Sequence, residues 1–399
     1  MTEMDTKALH AILPSVSTPS YIFDLDVFRA RARLVREAFG EKIGMCFSIK
    51  ANPFLLRELP DEFDRIEVCS PGELSICEST HADMSKVIFS GVNKGRDDIL
   101  RAMDDGVGVF TAESMLHLEM IHAAALERGR CVPLLLRVTD AAGGSQFGMD
   151  ELDVLDIIRR RDEYPGVTIV GLHYFTGTGK RKARVIGAEI DYLIDLIGRL
   201  KAEFGFQVER IEYGTGLAVD YFSADADALE AERLADVLPK LHELAALCAL
   251  TVEMGRFFAA PCGYYLTKIV DVKVNRGIRY AIVDGGMHQV KYDGQLQGMQ
   301  TPVIRHIRYA KKVGTVDPWC ICGSLCTTAD VLVRSCELES PEIGDVLVFC
   351  RTGAYSCMEG MSLFLSRDLP AVFFYSVEHG VERVRAPYLT AGLNTPVLS

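Results

Sequence analysis

The chain has 399 residues, 49% hydrophobic and 25% charged, with a mean hydropathy of +0.14, a balance that suits one large core plus a second domain. A formal net charge of -12 and a pI near 5.3 argue against nucleic acid and anionic membrane as partners, because an acidic surface attracts neither. The N-terminus, Met1-Thr2-Glu3-Met4-Asp5, has no basic stretch leading into an apolar one, and no uncharged apolar run approaches a bilayer span, so a cytoplasmic protein is expected.

Residues 1–20 carry only a short apolar helical piece at 8–13, stopped by Pro14. Residues 21–23 read as a short strand and 24–39 as an amphipathic helix. A rhythm then sets in. Strand-like runs at 45–50, 65–70, 87–91, 107–112, 131–138, 167–175, 208–214 and 250–256 recur down the chain. Between them, segments at 72–79, 97–104, 113–128, 151–161, 183–204 and 228–247 place apolar residues three or four apart. This alternation, with near-continuous apolar strands, predicts a closed parallel (β/α)8 barrel of the TIM type. An open doubly wound sheet would carry a glycine fingerprint after its first strand, and Ser48-Ile49-Lys50-Ala51-Asn52-Pro53 is not one. After Pro261 the helices stop. Runs at 264–274, 279–283, 311–321, 331–335, 345–350, 372–376 and 381–384 read as strands separated by Gly, Pro and Asp. They predict a β-sandwich or β-barrel domain at 263–399, completed by residues 1–24, beside a barrel domain at 25–262; residues 284–303 read as a polar, glycine-rich loop.

Active sites of such barrels sit at the C-terminal ends of the strands. Those ends hold Lys50, Ser70, Arg137, His173 with Phe175, Gly214-Thr215-Gly216, and Glu253 with Gly255-Arg256. A lysine ending a buried strand has its pKa lowered beside a low-dielectric pocket, and a neutral amine can form a Schiff base with an aldehyde. Backbone amides of Gly214-Thr215-Gly216 and Gly255-Arg256 can surround a phosphate dianion. The bland alternatives are a solvated lysine, ordinary glycine turns, and a Glu253 that merely pairs with Arg256 or Arg137. Twelve cysteines read as reduced thiols. Cys320-Ile321-Cys322 with Cys326 lacks further ligands at zinc spacing, so no metal is expected.

The strings SIKANP, VCSPGEL, SQFGMD, EYGTGL, EMGRFF, GSLCTTADVL and GDVLVFCRTGAY follow one another over most of the chain. In that order they resemble the motifs of the fold-type III pyridoxal-phosphate decarboxylases, the diaminopimelate/ornithine decarboxylase family, whose barrel is alanine racemase-like. The resemblance implies a pyridoxal 5'-phosphate carboxy-lyase with the cofactor on Lys50 and further contacts from Glu67, Ser70, Arg137, His173, Phe175, Gly214, Thr215, Gly216, Glu253, Gly255, Arg256 and Tyr355. It implies that Glu253 keeps the pyridine nitrogen protonated, so that the ring can accept electrons. It also implies that Cys326, reaching in from the partner subunit of a head-to-tail homodimer, returns a proton to the α-carbon.

Three departures bear on the substrate, for which Thr327, Asp330 and Phe364 are the expected contacts. Phe175 stands where the family stacks a histidine, Thr327 stands where enzymes for basic amino acids have a carboxylate, and Phe364-Leu365 replaces an aromatic-asparagine pair. A distal ammonium would be left unpaired. The chain is therefore similar to the subgroup of the butirosin-type L-glutamyl-carrier-protein decarboxylase, with a carrier-linked amino acid as substrate and a natural-product pathway as setting. A nucleotide-linked aminocarboxypropyl group, a free basic amino acid or other small molecule, racemase activity and a non-catalytic homologue are the competing readings. Glu253 and Cys326 count against the racemase, and retention of Lys50, Glu253, Cys326 and Tyr355 against the non-catalytic form.

Overall fold

In the computed structural model, residues 4, 6–139, 143, 145–309 and 313–397 are described. The chain divides into two compact units, Ala32–Ala218 with Ala228–Phe257, and Met1–Arg31 with Val219–Asp227 and Phe258–Ser399. Strand β1 (Ser20–Asp24) belongs to the second of these. In the first, β2 (Ile43–Ser48), β3 (Arg65–Val68), β4 (Val87–Phe89), β5 (Val109–Ala112), β6 (Val132–Val138), β7 (Val167–Tyr174), β8 (Arg210–Gly214) and β9 (Ala249–Met254) pair in sequence order and close into a barrel. All eight pairings are parallel, and β2–β9 completes the ring, with Cys46 opposite Glu253. This is the TIM-type architecture that the alternation predicts.

The helices form where their apolar stripes and caps say they should. The long helix Ala183–Phe204 buries Ile186, Ile190, Leu193, Leu196, Ile197 and Leu200 along one face, and stops at Gly205 in a left-handed conformation. Helices Pro71–Ser79 and Met115–Glu127 start at Ser70 and Ser114, whose hydroxyls accept from the N–H of Glu73 and His117.

Side chains alternate along each strand, which stratifies the barrel lumen. Cys46, Ile88, Val109 and Leu135, backed by Val170, meet from five strands as an apolar plug. On the N-terminal side of the plug lies a cavity of about 560 Å³, bordered by Arg65, Pro133 and Arg210. Past the plug, polar side chains take over: Ser48 on β2, Glu67 on β3, Thr111 on β5, Arg137 on β6, Glu212 on β8 and Glu253 on β9.

In the β unit, β10 (Gly263–Asn275) pairs with β11 (Ile278–Val283), and β12 (Ile304–Ile307) is a short strand. Strands β13 (Val316–Cys322), β14 (Val331–Glu339), β15 (Val346–Cys350), β16 (Ala371–Ser376) and β17 (Gly380–Arg385) complete the sheet, in the order β14-β13-β11-β10-β1-β16-β17. The N-terminal strand does complete this sheet, with β1 antiparallel to β10 and parallel to β16. Among the described residues, no helix is long and apolar enough to cross a membrane.

Three expectations change. β12 has four residues and pairs with β15 alone, too short a run to stand out by alternation. The strand expected at 311–321 runs Val316–Cys322, and its expected start at 311 and 312 lies outside the described residues. The 284–303 loop is irregular but not simply wet. Val290 and Tyr292 are buried, Tyr292 donates to Cys350 O at 2.7 Å, and Gln289 Oε1 accepts from Tyr265 at 2.7 Å.

The close approach of β7 to β8 generates a stability prediction. A register irregularity near Val170 brings Gly171 so near β8 that an added Cβ would lie 1.7 Å from the Arg210 carbonyl oxygen. Gly171→Ala is expected to lower the denaturant midpoint at unchanged slope, a loss of about 1–3 kcal/mol; a midpoint equal to the parent's would refute the contact.

Candidate active site

The centre of the barrel mouth is Lys50. β2 ends at Ser48, the chain turns through the 3-10 segment Ile49–Ala51, and Pro53 opens a second one, Pro53–Glu58, capped by the Asn52 side chain accepting from Phe54 N. Proline lacks an N–H and blocks further strand pairing, so the lysine is left on the corner. Its Nζ lies 2.8 Å from Glu67 Oε2, 3.4 Å from Cys69 Sγ and 3.6 Å from Glu253 Oε1. The lysine side chain is 34% exposed, whereas those of Glu67 and Glu253 are 3% and 5% exposed. The amine can therefore be reached from outside while its counter-charges cannot.

Each carboxylate is held by a second donor. Ser48 Oγ donates to Glu253 Oε1 at 2.9 Å, and His173 Nε2 stands 3.2 Å from Glu253 Oε2. Burial alone would push the Glu253 carboxyl up, but Lys50 and His173 outweigh it and hold it well below the usual range, so it is a carboxylate. Its partners are therefore Lys50, His173 and Ser48, while Arg137 is engaged elsewhere: Nη1 donates to Glu113 Oε1 at 2.9 Å, and the guanidinium stacks 4.8 Å from the Phe147 ring centroid. On the other side, the Cys69 thiol donates to Glu67 Oε1 at 2.9 Å. Burial pushes that thiol up, which keeps it protonated and a donor. Ser70 caps helix Pro71–Ser79, and Glu73 of the same turn accepts from Cys69 N at 2.6 Å.

Opposite Lys50 the β7 and β8 loops build a cradle. Gly216 has φ +62°, and a Cβ there would lie 1.9 Å from Gly177 O; one on Gly214 would lie 2.4 Å from Phe175 Cδ2. The Phe175 ring thus lies directly on the glycine turn that includes Thr215. Lys180 N donates to Gly216 O at 2.9 Å and Ala218 N to Lys180 O at 3.1 Å, tying the two loops together. The Glu189 carboxylate gathers the Lys180 amine at 2.8 Å, the Tyr213 hydroxyl at 2.6 Å and the Thr176 hydroxyl. At Gly255 a Cβ would lie 2.7 Å from Ala51 Cβ, so this corner packs onto the lysine turn, and Arg256 follows at the start of helix Arg256–Ala259.

Cys326, Thr327, Asp330, Tyr355 and Phe364 belong to the β unit. Cys326 is exposed, Phe364 is exposed, and Tyr355 adopts φ +64°. Asp330, a substrate contact on the sequence reading, spends both oxygens on backbone N–H groups: Oδ1 accepts from Met287 N of the 284–303 loop and Oδ2 from Leu325 N of its own turn, each at 2.8 Å. Its carboxylate is buried and pins the turn that carries Cys326 and Thr327. Among the described residues, no group of three or more His, Cys, Asp or Glu is placed to hold a metal ion.

Three residues of the mouth were not singled out from the sequence. Cys69 sat between Glu67 and Ser70, the two residues taken from that strand end. Glu113, the partner of Arg137, lies 24 positions away from it in the chain. Lys94 is 4% exposed, and burial lowers its amine to about 8. A lysine five residues past the end of β4, flanked by Gly91 and Gly95, was the available signal.

Residues 25–260 match a family model described as pyridoxal-dependent decarboxylase, pyridoxal binding domain. The chain is 27% identical to an L-glutamyl-[BtrI acyl-carrier protein] decarboxylase of Niallia circulans over 92% of this chain and 91% of that protein. It is 30% identical to a diaminopimelate decarboxylase of Actinosynnema pretiosum over 85% of this chain and 79% of that protein. Among solved structures, diaminopimelate decarboxylase of M. jannaschii in complex with L-lysine superposes with a TM-score of 0.84 at 23% identity, covering 98% of this chain and 94% of that one.

Beneath the mouth, Glu212 is buried beside the Cys46 thiol. Burial first, and then the neighbouring Glu253 charge, raise its pKa well above the ordinary value. A carboxyl whose folded pKa lies above its unfolded one takes up a proton on folding, so stability declines as pH rises from the ordinary value toward the raised one. Glu212→Gln is expected to gain in melting temperature over the parent progressively from about pH 5 to about pH 8. A difference that stays constant across that range would show that Glu212 titrates normally.

Proposed function

This chain belongs to the pyridoxal-dependent decarboxylase family, and we propose that it removes the α-carboxyl group of an amino acid presented on a larger carrier. Its cofactor is pyridoxal 5'-phosphate. The residues of the mouth fit that group: an accessible amine ringed by two carboxylates, and a glycine turn with no room for a Cβ. The observation that carries the reading is Lys50 Nζ at 2.8 Å from Glu67 and 3.6 Å from Glu253.

In this reading Lys50 is the attachment point. Gly214-Thr215-Gly216, Gly255-Arg256 and Tyr355 would hold the phosphate, Phe175 would supply the stacking face, and Arg137 would contribute a further contact to the ring. Ser70 acts through its helix cap. When bound, the cofactor supplies an aldehyde for the amine and a ring that accepts the electron pair left when the carbon–carboxyl bond breaks. Glu253, ionised and fixed by Ser48 and His173, would keep a proton on the ring nitrogen. Carbon dioxide leaves, and a proton passes from a thiol to the α-carbon. The exposed Cys326 of a second copy of the chain is the proposed donor, which makes the working form a homodimer with shared sites.

The substrate class rests on what the chain lacks. Thr327 offers no charge to a distal ammonium, and Asp330 is engaged by backbone N–H groups. Phe364-Leu365 adds apolar surface. A relative that acts on a glutamyl carrier protein agrees with this.

The test is carbon dioxide release by the purified protein from carrier-linked glutamate, a nucleotide-linked aminocarboxypropyl group, lysine, ornithine and diaminopimelate. The linked glutamate is expected to be preferred by about a hundredfold or more over the free basic amino acids. Thr327→Asp is expected to raise the specificity constant for ornithine. Efficient turnover of a free basic amino acid by the parent would overturn the substrate reading.

A further inference from the structure

One stretch beside the mouth runs against the charge of the whole chain. Between Glu163 and Glu189 there is no acidic residue, and within it Lys180, Arg181, Lys182 and Arg184 fall in five positions of a protein of net charge -12. Lys180 is turned inward: its amine meets Glu189 at 2.8 Å and lies 6.0 Å from the Phe175 ring centroid, and its Cε lies 3.3 Å from where a Gly216 Cβ would stand. The next residues face solvent, with Arg181, Lys182 and Arg184 all exposed. The basic run therefore starts at the edge of the cradle.

Local stability does not explain Lys182 and Arg184. Lys182 is the N-cap of helix Ala183–Phe204 with no capping side-chain hydrogen bond, Arg184 is its second residue, and its first turn contains no acid. Cations at a helix N-terminus oppose the macrodipole. Elsewhere on the barrel unit several surface arginines are paired: Arg128 with Asp104, Arg160 with Asp156 and Glu163, Arg199 with Glu151. Among the described residues, neither Lys182 nor Arg184 has an ion-pair partner within 4 Å.

We propose that Arg181, Lys182 and Arg184 form the docking surface for the acidic face of the carrier domain that delivers the substrate. This rests on the carrier-linked reading above and adds to it the place where the carrier sits. Exposed cations spread over one turn suit the broad acidic face of a protein, which gains encounter rate and orientation from such a patch. A nucleotide phosphate is better held by a recessed site with converging donors.

The probe is an acidic acyl carrier protein charged with L-glutamate, compared with glutamyl-pantetheine, which has the arm but not the protein. The variant is Lys182→Glu with Arg184→Glu in the cofactor-loaded enzyme. Acids at these positions complement the helix dipole, so the double variant is expected to melt no lower than the parent. Lys182→Gln with Arg184→Gln serves as a milder second form. The expected result is a rise of about tenfold or more in KM for the glutamyl carrier, with unchanged kcat, an unchanged cofactor absorption spectrum and unchanged kcat/KM for glutamyl-pantetheine. KM of the parent should also climb between about 50 and about 500 mM salt, and that of the variants should not.

A parent-like KM for the carrier in both variants would overturn the docking surface while leaving the carrier-linked reading intact. An effect seen only with a nucleotide-linked substrate would overturn it in favour of phosphate recognition. Failure of the parent to turn over the glutamyl carrier, with good turnover of a free amino acid, would overturn both.

Discussion

The barrel mouth depends on one constraint: two buried carboxylates share a single reachable amine. Glu67 and Glu253 approach Lys50 from β3 and β9, the two neighbours of β2, and β2 is the strand at which the ring closes. An uncompensated buried charge costs about 3–5 kcal/mol in general, so the amine and its two counter-charges hold each other in place. Ser48, Cys69 and His173 then take up the remaining carboxylate lone pairs. The same arrangement serves chemistry, because both acids are fixed, Glu253 as a carboxylate, while the amine stays accessible.

Strand alternation decides what lies below. Arg210, Glu212 and Gly214 follow one another at steps of two on β8, passing from the N-terminal cavity through the buried acid to the cradle. Cys46, Ser48 and Lys50 make the same climb along β2 and the turn after it. A polar group in this column is either answered by a neighbour, as Glu253 is, or neutral, as Glu212 is by its raised pKa. The glycines are placed by the same logic of space: Gly214, Gly216 and Gly255 stand where another strand end or loop already fills the volume of a side chain.

Much of this was legible in the residues. The barrel strands are apolar runs of ordinary length separated by helices with clear stripes, and proline at 53 marks where β2 must stop. Lys50, Glu253 and the glycine turn could be placed because strand ends converge in such a barrel. Partnerships were not legible, because they join distant positions: Ser48 with Glu253 across 205 residues, and Arg137 with Glu113 across 24. Lys94 looked like any loop lysine until burial was known, and the Asp330 carboxylate looked free for a substrate until its backbone donors were in view. Short β12 carried too few residues for its alternation to register.

Three buried or half-buried amines, those of Lys50, Lys94 and Lys180, stand in or at the edge of the mouth, and of these Lys50 lies between Glu67 and Glu253. Borohydride reduction of the cofactor-loaded protein, followed by peptide mass mapping, reads which of them bears the cofactor. The account predicts the pyridoxyl group on the peptide containing Lys50 and its absence from that containing Lys94. A pyridoxyl group on Lys94, or on neither peptide after reconstitution, would contradict it.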